Sequence, residues 1–239
     1  MMRLDRFIAE TTELSRSQAA KVIRLGAVSV NGVQVRSPEQ KLDECSDEVR
    51  YCGQHCVYRK YYYYLLNKPT GVITASKDPK QKTVLDLFPS EIRKHGIFAV
   101  GRLDKDTSGL LLVTNDGTFA HRVIAPASGI DKVYAAKVEG TPTEEDAARF
   151  REGLELSDGT HCLPACLAVT GENRCLVTVR EGKYHQVRRM LAAIGKPVQT
   201  LSRISLGGIE LDRSLEPGQY RELTESELCI LFKALHMEK

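Results

Sequence analysis

The chain has 239 residues, a length that corresponds to one or two domains. Its 42% hydrophobic and 27% charged residues are close to the averages of folded proteins and exclude a largely disordered chain. The net charge is only +3, yet residues 1–36 contain six Lys or Arg against three Asp or Glu, so a local basic surface is expected there. No apolar run approaches the roughly 20 residues of a membrane span, and the first residues lack a signal-peptide core. We therefore expect a cytoplasmic protein with no membrane partner.

The first 36 residues predict two helices followed by a hairpin. Apolar residues recur at helical spacing over residues 4–8, and Ser15 followed by Gln18 is a capping box that begins a second helix. Gly26 is expected to end this helix. Residues 27–35 alternate around Asn31-Gly32, a dipeptide typical of a type I′ turn. The pattern therefore predicts a compact module of two helices and a hairpin.

Basic side chains of this module are candidate nucleic-acid contacts: Arg3, Arg16, Lys21 and Arg24. An ordinary pair of helices with a solvated face would carry the same charge. The order of a Ser-Arg cap, a basic helix and the pattern G-x-V-x-V-N-G-x-x-V resembles the small RNA-binding domain named after ribosomal protein S-four. This resemblance implies that the four basic residues bind structured RNA.

The next segment, residues 37–60, is predicted to hold the end of this module and a linker, because it combines Pro38, mixed charge and scattered cysteines. The seven cysteines of the chain have no spacing that indicates a disulfide framework. Cys52, His55 and Cys56 come nearest to a metal-ligand pattern, but without a second pair they give weak support for zinc. We expect free thiols and no bound metal.

Residues 61–239 predict a second domain of mixed strands and helices. Strands are predicted at 61–66, 97–103, 109–114, 132–139, 175–180 and 202–211, with helices from a Thr141–Glu144 cap to Glu152 and over 185–194. Without a regular βαβ period, this favours an α+β fold with a largely antiparallel sheet. Alternation along the four tyrosines that begin at Tyr61 predicts two in the core and two toward solvent.

The most informative stretch is residues 101–117, GRLDKDTSGLLLVTNDG. Leu110–Val113 is predicted to be a strand buried on both faces, ended by a turn at Asn115–Gly117. The polar loop before this strand would present Arg102, Asp104 and Asp106 at the rim of the sheet. From composition alone, a solvated loop with local turns fits these residues equally well.

This stretch resembles the signature of the RsuA family of RNA pseudouridine synthases. Asn67–Gly71 (NKPTG), Lys132–Tyr134 (KVY) and Glu181–Met190 (EGKYHQVRRM) resemble further motifs of the family in the expected order. With the N-terminal module, the resemblance covers essentially the whole chain. It implies conversion of a uridine within RNA into its C5-glycoside, without a metal or an organic cofactor.

The resemblance also assigns candidate catalytic residues. Asp104 matches the catalytic carboxylate, Arg188 the arginine that pairs with it, and Tyr134 the tyrosine that lines the uracil pocket. A fixed cation would keep a carboxylate ionised and orient it, and a phenol both stacks on a base and handles a proton. We therefore expect a charge-assisted pair between Arg188 and Asp104, with Tyr134 in the same cleft.

Further residues are expected to bind the RNA. Arg102 matches the arginine that fills the gap left by the flipped base. Lys68 and Lys183 are expected to hold phosphates. His185 and Gln186, in the last motif, are also expected RNA contacts.

The sequence therefore predicts an S-four-like RNA-binding domain at residues 1–58 and a catalytic domain at 59–239 with a mixed, mostly antiparallel sheet and flanking helices. The opening MRLDRFIAE and the close GGIELDRSLEPGQYREL look most like family members that modify small-subunit (16S) ribosomal RNA. Large-subunit (23S) ribosomal RNA is the alternative substrate, and a non-catalytic RNA-binding factor in ribosome assembly is the alternative from another class. The expected partner is ribosomal RNA or a partly assembled subunit, and the expected state is a monomer.

Overall fold

The computed structural model describes residues 1–237 of the chain. These residues form two compact units, one over Met1–Tyr61 and the other from Tyr62 onward, each with its own core. The predicted boundary after residue 58 lies three residues before this division. Within the described range, no helix is long and apolar enough to cross a membrane.

The first unit consists of two helices and short strands. In chain order these are β1 (Met2–Arg3), α1 (Leu4–Thr11), α2 (Arg16–Arg24), β2 (Val28–Val30), β3 (Val33–Val35), β4 (Lys41–Leu42), β5 (Val49–Tyr51) and β6 (Gln54–Cys56). The strands form a four-stranded sheet in the order β3-β2-β5-β6, and β1 pairs with β4. Leu4, Phe7 and Ile8 on α1 are buried against the sheet residues.

The local predictions for this unit are confirmed. The Ser15 side chain accepts from Gln18 N at 3.4 Å while Gln18 Oε1 accepts from Ser15 N at 2.8 Å, which is the capping box that begins α2. Asn31 and Gly32 both have positive φ, as a type I′ turn requires. Residues 37–60 hold the end of the module, as predicted, but strands β4 to β6 lie within this segment, and only residues 57–60 follow β6. Strands of two or three residues are too short to show a period in the sequence.

The second unit contains the remaining elements: β7 (Tyr63–Lys68), α3 (Ser90–Arg93), β8 (Phe98–Ala99), β9 (Thr107–Thr114), α4 (Gly117–Ile124), β10 (Lys132–Val138), α5 (Glu144–Glu152), β11 (Leu154–Glu155), β12 (His161–Cys162), β13 (Cys166–Gly171), β14 (Arg174–Val179), α6 (Gln186–Ala193), β15 (Val198–Leu206), β16 (Ile209–Glu210), β17 (Tyr220–Glu222) and α7 (Glu225–Ala234). Two short 3-10 helices lie at Val84–Leu87 and Pro126–Ser128.

A nine-stranded sheet organises this unit and confirms the predicted α+β class. Its main path runs β13-β14-β10-β15-β9-β7-β17, with β16 added beside β15 and β8 beside β9. All of its strand pairs are antiparallel except β9 with β15. The parallel pair places the N-terminal end of β9, and the loop that leads into it, in the middle of the sheet.

Strand β9 is buried on both faces, as predicted. Leu110 and Leu112 pack into a core that includes residues of α4 and α7, whereas Leu111 and Val113 pack into a core on the other face. The neighbouring strand β7 follows the same alternation, with Tyr63 in the first core and Tyr64 in the second. Two of the four tyrosines lie in the core, as predicted, but they are the consecutive Tyr63 and Tyr64, because both faces of the sheet are covered here. The predicted alternation is therefore wrong, and Tyr61, before the strand, is the exposed one.

The starts of helices α4 and α5 differ from the predictions. Asp116, predicted to lie in a turn that ends β9, is the N-cap of α4 and accepts from Phe119 N at 3.0 Å. The cap of α5 is Thr143 in a capping box with Asp146, not the Thr141 side of the predicted segment. In both cases another Asp or Thr lies within two residues of the N-cap. The residue whose side chain reaches the free N–H groups at the start of the helix is the one that caps it.

Gly109 is expected to be essential where β9 meets β15. A Cβ atom there would lie 2.2 Å from Arg203 O, and its φ of +99° is unfavourable for other residues. We therefore expect Gly109→Ala to lower the free energy of unfolding, measured by urea denaturation, by about 3–5 kcal/mol. Gly117, whose added Cβ would meet nothing within 4 Å, is the matched control. Gly117→Ala should change stability by less than about 1 kcal/mol, and an equal loss in both variants would contradict this account.

Candidate active site

The residues predicted to be catalytic line one cleft in the second unit. Asp104, Tyr134 and Arg188 all border a cavity of about 80 Å³ that also touches residues 181–183 and 185–187. A larger cavity of about 840 Å³ shares Asp104 and Tyr134 with it and extends over Val100 and over apolar residues of α4 and β15. Three distant segments thus meet here: the loop before β9, strand β10, and the turn that leads into α6.

Asp104 lies in the loop at residues 100–106, and its side chain is about one-third exposed (37%). Its Oδ1 lies 3.4 Å from Nε2 of His185. The loop is fixed through its backbone: Thr74 Oγ1 donates to Leu103 O at 2.7 Å, and Gly71 N donates to Lys105 O at 2.9 Å. The carboxylate is therefore presented to the cleft by a loop that is anchored on both sides of Asp104.

Lys68, predicted to hold a phosphate, is completely buried beneath this loop. Its Nζ donates to four backbone carbonyls, those of Pro69 (3.0 Å), Asp104 (3.0 Å), Lys105 (3.4 Å) and Thr107 (2.9 Å). Burial lowers the pKa of the ammonium to about 8, and the carboxylates of Asp104 and Asp106 oppose the decrease. The predicted contact with RNA is wrong, because every donor direction of the ammonium is taken by the chain itself.

Arg188 does not form the expected ion pair with Asp104. Its Nη2 donates to the carbonyl of Asp106 at 3.0 Å, and no described contact within 4.0 Å joins the guanidinium to the Asp104 carboxylate. The reason lies in the start of α6, where His185 has a φ of +47° and its imidazole, one turn earlier than Arg188, takes the place next to Asp104. Arg188 thus contacts the loop that carries Asp104, but through the backbone.

Of the other predicted contacts in the last motif, Gln186 and Lys183 bind groups of the chain itself, whereas His185 faces the cavity. Gln186 is buried and hydrogen-bonded at both ends, with Nε2 2.7 Å from Glu181 Oε1 and Oε1 accepting from Lys183 N at 3.0 Å. It is therefore a structural residue, and its predicted contact with RNA is wrong. Lys183 forms an ion pair of 3.0 Å with Glu181 and donates to His161 O. His185, half-exposed and stacked on the exposed Tyr184, faces the cavity.

Tyr134 and Arg102, predicted to contact the target base and the RNA around it, both lie at the open surface of the cleft. Tyr134, on β10, is half-buried and lines both cavities. Arg102 is exposed at the rim of the same two cavities, and among the described residues it has no ion-pair or hydrogen-bond partner. Both side chains are therefore accessible to a ligand that enters the cleft.

Two buried cations of the cavity wall were not predicted to belong to the site: Lys132 and Arg203. A signal for each was present in the sequence. Lys132 is two residues before Tyr134 and so shares its face of the strand, and Arg203 shares a face of β15 with the buried Leu201. A charge at an inward position of a predicted strand is rare enough to mark a site.

In the first unit, the predicted RNA contacts lie on one helix and its neighbour. Arg16, Lys21 and Arg24 are exposed on α2, and Arg3 is exposed just before α1. Arg3 and Arg16 reach the buried Asp5 at 2.7 and 3.4 Å, and hydrogen bonding to Arg3 lowers the pKa of this carboxyl. Cys52 lies in the exposed β5–β6 turn and His55 is exposed on β6, and no cluster of three His, Cys, Asp or Glu placed to bind a metal occurs in residues 1–237.

Comparison with known proteins gives consistent results for both units. Residues 62–193 match the family model for RNA pseudouridylate synthase, and residues 2–48 match the S4 domain. The chain is 40% identical to ribosomal small subunit pseudouridine synthase A of Escherichia coli (strain K12), over 95% of this chain and 99% of the relative. It is 38% identical to an uncharacterized RNA pseudouridine synthase of Bacillus subtilis, over 96% and 98% respectively.

A solved crystal structure of a pseudouridylate synthase covers 97% of this chain and 100% of its own, with 37% identity and a TM-score of 0.68. The chain belongs to the RNA pseudouridine synthase family. It is therefore an isomerase that acts on RNA, and an S4 domain precedes the synthase region in the chain.

Proposed function

We propose that the protein converts one uridine of small-subunit (16S) ribosomal RNA into pseudouridine, with residues 1–58 as the RNA-docking domain and 59–239 as the catalytic domain. The single observation that carries the proposal is the meeting of Asp104 and Tyr134 at a cavity of about 840 Å³, a volume that accommodates a nucleotide. The relatives named for the small ribosomal subunit, which match the chain over nearly its full length, favour that RNA over large-subunit RNA. With ribosomal RNA as substrate, the protein acts in the cytoplasm, where ribosomes are assembled.

The proposed reaction assigns a role to each residue at the cleft. The bond from C1′ to N1 breaks, the base turns within the cavity, and a bond from C1′ to C5 forms while C5 loses its proton. Asp104 assists bond cleavage as an ionised carboxylate, and Tyr134 stacks on the base and receives or relays the proton. Arg102 occupies the gap left in the RNA by the flipped base. Arg188 positions the loop through the Asp106 carbonyl, a role that replaces the expected pair with Asp104.

Mapping of pseudouridines in ribosomal RNA tests this proposal. Cells that express the protein, cells without it, and cells that express only Asp104→Asn are compared at single-nucleotide resolution in both subunits. One position in 16S RNA should carry pseudouridine only in the presence of the active protein. A position in 23S RNA would transfer the proposal to the alternative substrate. Unchanged maps would favour a binding factor without catalytic activity.

The docking role of the first unit predicts a change in salt dependence. Lys21 and Arg24 make no ion pair with any described residue, and Arg16 is largely exposed, so their charges are available for phosphates. Replacement of all three by Gln should weaken RNA binding and reduce the slope of log Kd against log salt by about 2, roughly 0.7–0.9 for each phosphate that is no longer neutralised. Fluorescence anisotropy over a salt series measures this, and the exposed Lys233→Gln on α7 is the control. An unchanged slope in the triple variant would remove α2 from the RNA interface.

A further inference from the structure

Two buried cations in the wall of the larger cavity have no carboxylate partner among the described residues. Lys132 on β10 and Arg203 on β15 are more than nine-tenths buried, and both line the cavity. Lys132 Nζ donates only to backbone carbonyls, those of Ile130 (3.2 Å) and Arg180 (3.4 Å). Burial, and secondly repulsion from Arg203, lowers the pKa of Lys132. The carboxylate of Asp131 opposes this decrease, but neither cation forms an ion pair with a carboxylate of the described chain.

Arg203 has an incomplete set of hydrogen bonds. A guanidinium carries five N–H donors, and here only Nε has a partner, Leu110 O at 2.8 Å. Its Nη2 is inaccessible to solvent and has no partner in the described chain. A buried, charged donor without a partner is strongly unfavourable. The fold nevertheless fixes it there, because Arg203 lies opposite Tyr134 on β10 and opposite Gly109 on β9.

The surroundings favour a planar base over a phosphate as the partner of these cations. The cavity wall also contains the apolar side chains of Val100, Val123, Ile124 and Leu206. A phosphodiester is strongly hydrated and would lose its water against such a wall, whereas a pyrimidine ring suits it. Asp104 and Tyr134 border the same cavity, so a base held there is beside the groups assigned to its reaction.

We propose that Arg203, supported by Lys132, binds the carbonyl oxygens of the target uracil and stabilises the negative charge that the base acquires when it leaves C1′. The inference rests on the proposed function. When the C1′–N1 bond breaks, its electron pair stays with the base and is delocalised over N1 and the carbonyl oxygens O2 and O4. When the C5–C1′ bond forms and C5 loses its proton, N1 regains a proton and the base is neutral again. Fixed positive charge in a buried site is the arrangement that stabilises such a transient anion.

The first test removes the charge and measures each step separately. In Arg203→Met, single-turnover isomerisation of an RNA that the wild-type protein modifies should fall about 100-fold or more, while the Kd for that RNA changes less than about threefold. Lys132→Met should act in the same direction, and Arg203→Lys should recover part of the rate. Arg180→Met, an exposed arginine beside the same strands that pairs with Asp131, is the control and should retain the full rate.

The second test varies the base. In RNA with 5-fluorouridine at the target, fluorine itself stabilises the departing anion, so the loss of rate in Arg203→Met should be smaller than with uridine. The rate is followed by mass spectrometry as disappearance of the original nucleoside. An equal loss on both RNAs would assign Arg203 a merely structural role and overturn the inference. The inference is also overturned if Arg203→Met protein that melts at the wild-type temperature retains the full rate.

The third test does not depend on turnover. Free 5-nitrouracil, whose ring is ionised near neutral pH, should bind the wild-type protein and bind Arg203→Met at least about tenfold more weakly, as measured by calorimetry. Inorganic phosphate should not compete. Competition by phosphate, together with a weaker Kd for RNA in Arg203→Met, would assign the cations to the RNA backbone and overturn the inference. If the wild-type protein modifies no uridine, the proposed function fails, and the 5-nitrouracil titration alone decides whether the cavity binds an ionised pyrimidine.

Discussion

Asp104→Asn is expected to abolish isomerisation, with a loss on the order of 10⁴-fold or more, while RNA binding is retained. The amide has the shape of the carboxylate but neither attacks a carbon nor accepts a proton at neutral pH. The loop geometry should survive, because the loop is held through the carbonyls of Leu103, Asp104 and Lys105, and not through the Asp104 side chain. Release of tritium from C5 of labelled uridine measures turnover, and anisotropy measures binding.

The neighbouring carboxylate provides the control for this experiment. Asp106 is exposed two residues further along the same loop, and its described contact to Arg188 uses its backbone carbonyl. Asp106→Asn removes the same charge from the same loop and should retain most of the activity. Turnover by Asp104→Asn above the background rate would remove Asp104 from the chemistry, and a comparable loss in both variants would point to the charge of the loop in general.

Features with a local cause could be predicted from the sequence. The capping box at Ser15, the turn at Asn31-Gly32 and the doubly buried strand Leu110–Val113 each depend on neighbouring residues, and all three are present in the structure. The meeting of Asp104 with Tyr134 followed only from the resemblance to a family, since no local pattern joins residues 30 positions apart in sequence. The short strands of residues 37–60 lacked any periodic signal.

The errors concern charged and polar side chains whose partners are distant in sequence. Residue type and motif assign Lys68, Gln186 and Arg188 to RNA or to Asp104. Each instead binds groups of the chain itself: loop carbonyls for Lys68, Glu181 for Gln186 and the Asp106 carbonyl for Arg188. A basic side chain in a motif has the same sequence signature whether it faces a ligand or supports the residue that does. Alternation along β7 places Lys68 on the face of the buried Leu66, which already indicated an inward position.

Lys68→Met should separate these two roles and produce the second large effect. Removal of the ammonium leaves four buried or partly buried carbonyls without their common donor, so the free energy of unfolding should fall by about 3 kcal/mol. The Asp104 loop loses its central anchor, and a displacement of about 1 Å is enough to reduce kcat about 100-fold. A lysine that holds a phosphate would instead weaken RNA binding and reduce its salt dependence.

Lys105→Met is the matched control, because this lysine lies in the same loop but is exposed and contacts Gln81 at 2.9 Å. It should leave kcat and stability close to those of the wild type.

A second check of the role of Lys68 uses pH. Because the pKa of Lys68 is lowered to about 8, the ammonium loses its proton as the pH rises through this value, and the loop loses both a donor and the charge behind Asp104. The wild-type kcat should therefore decline above pH 8 without a matching loss of RNA affinity. A weaker Kd with an unchanged kcat in Lys68→Met would contradict this account and return the lysine to the RNA interface. We expect the opposite result, because Lys68 is completely buried beneath the loop and a phosphate has no access to it.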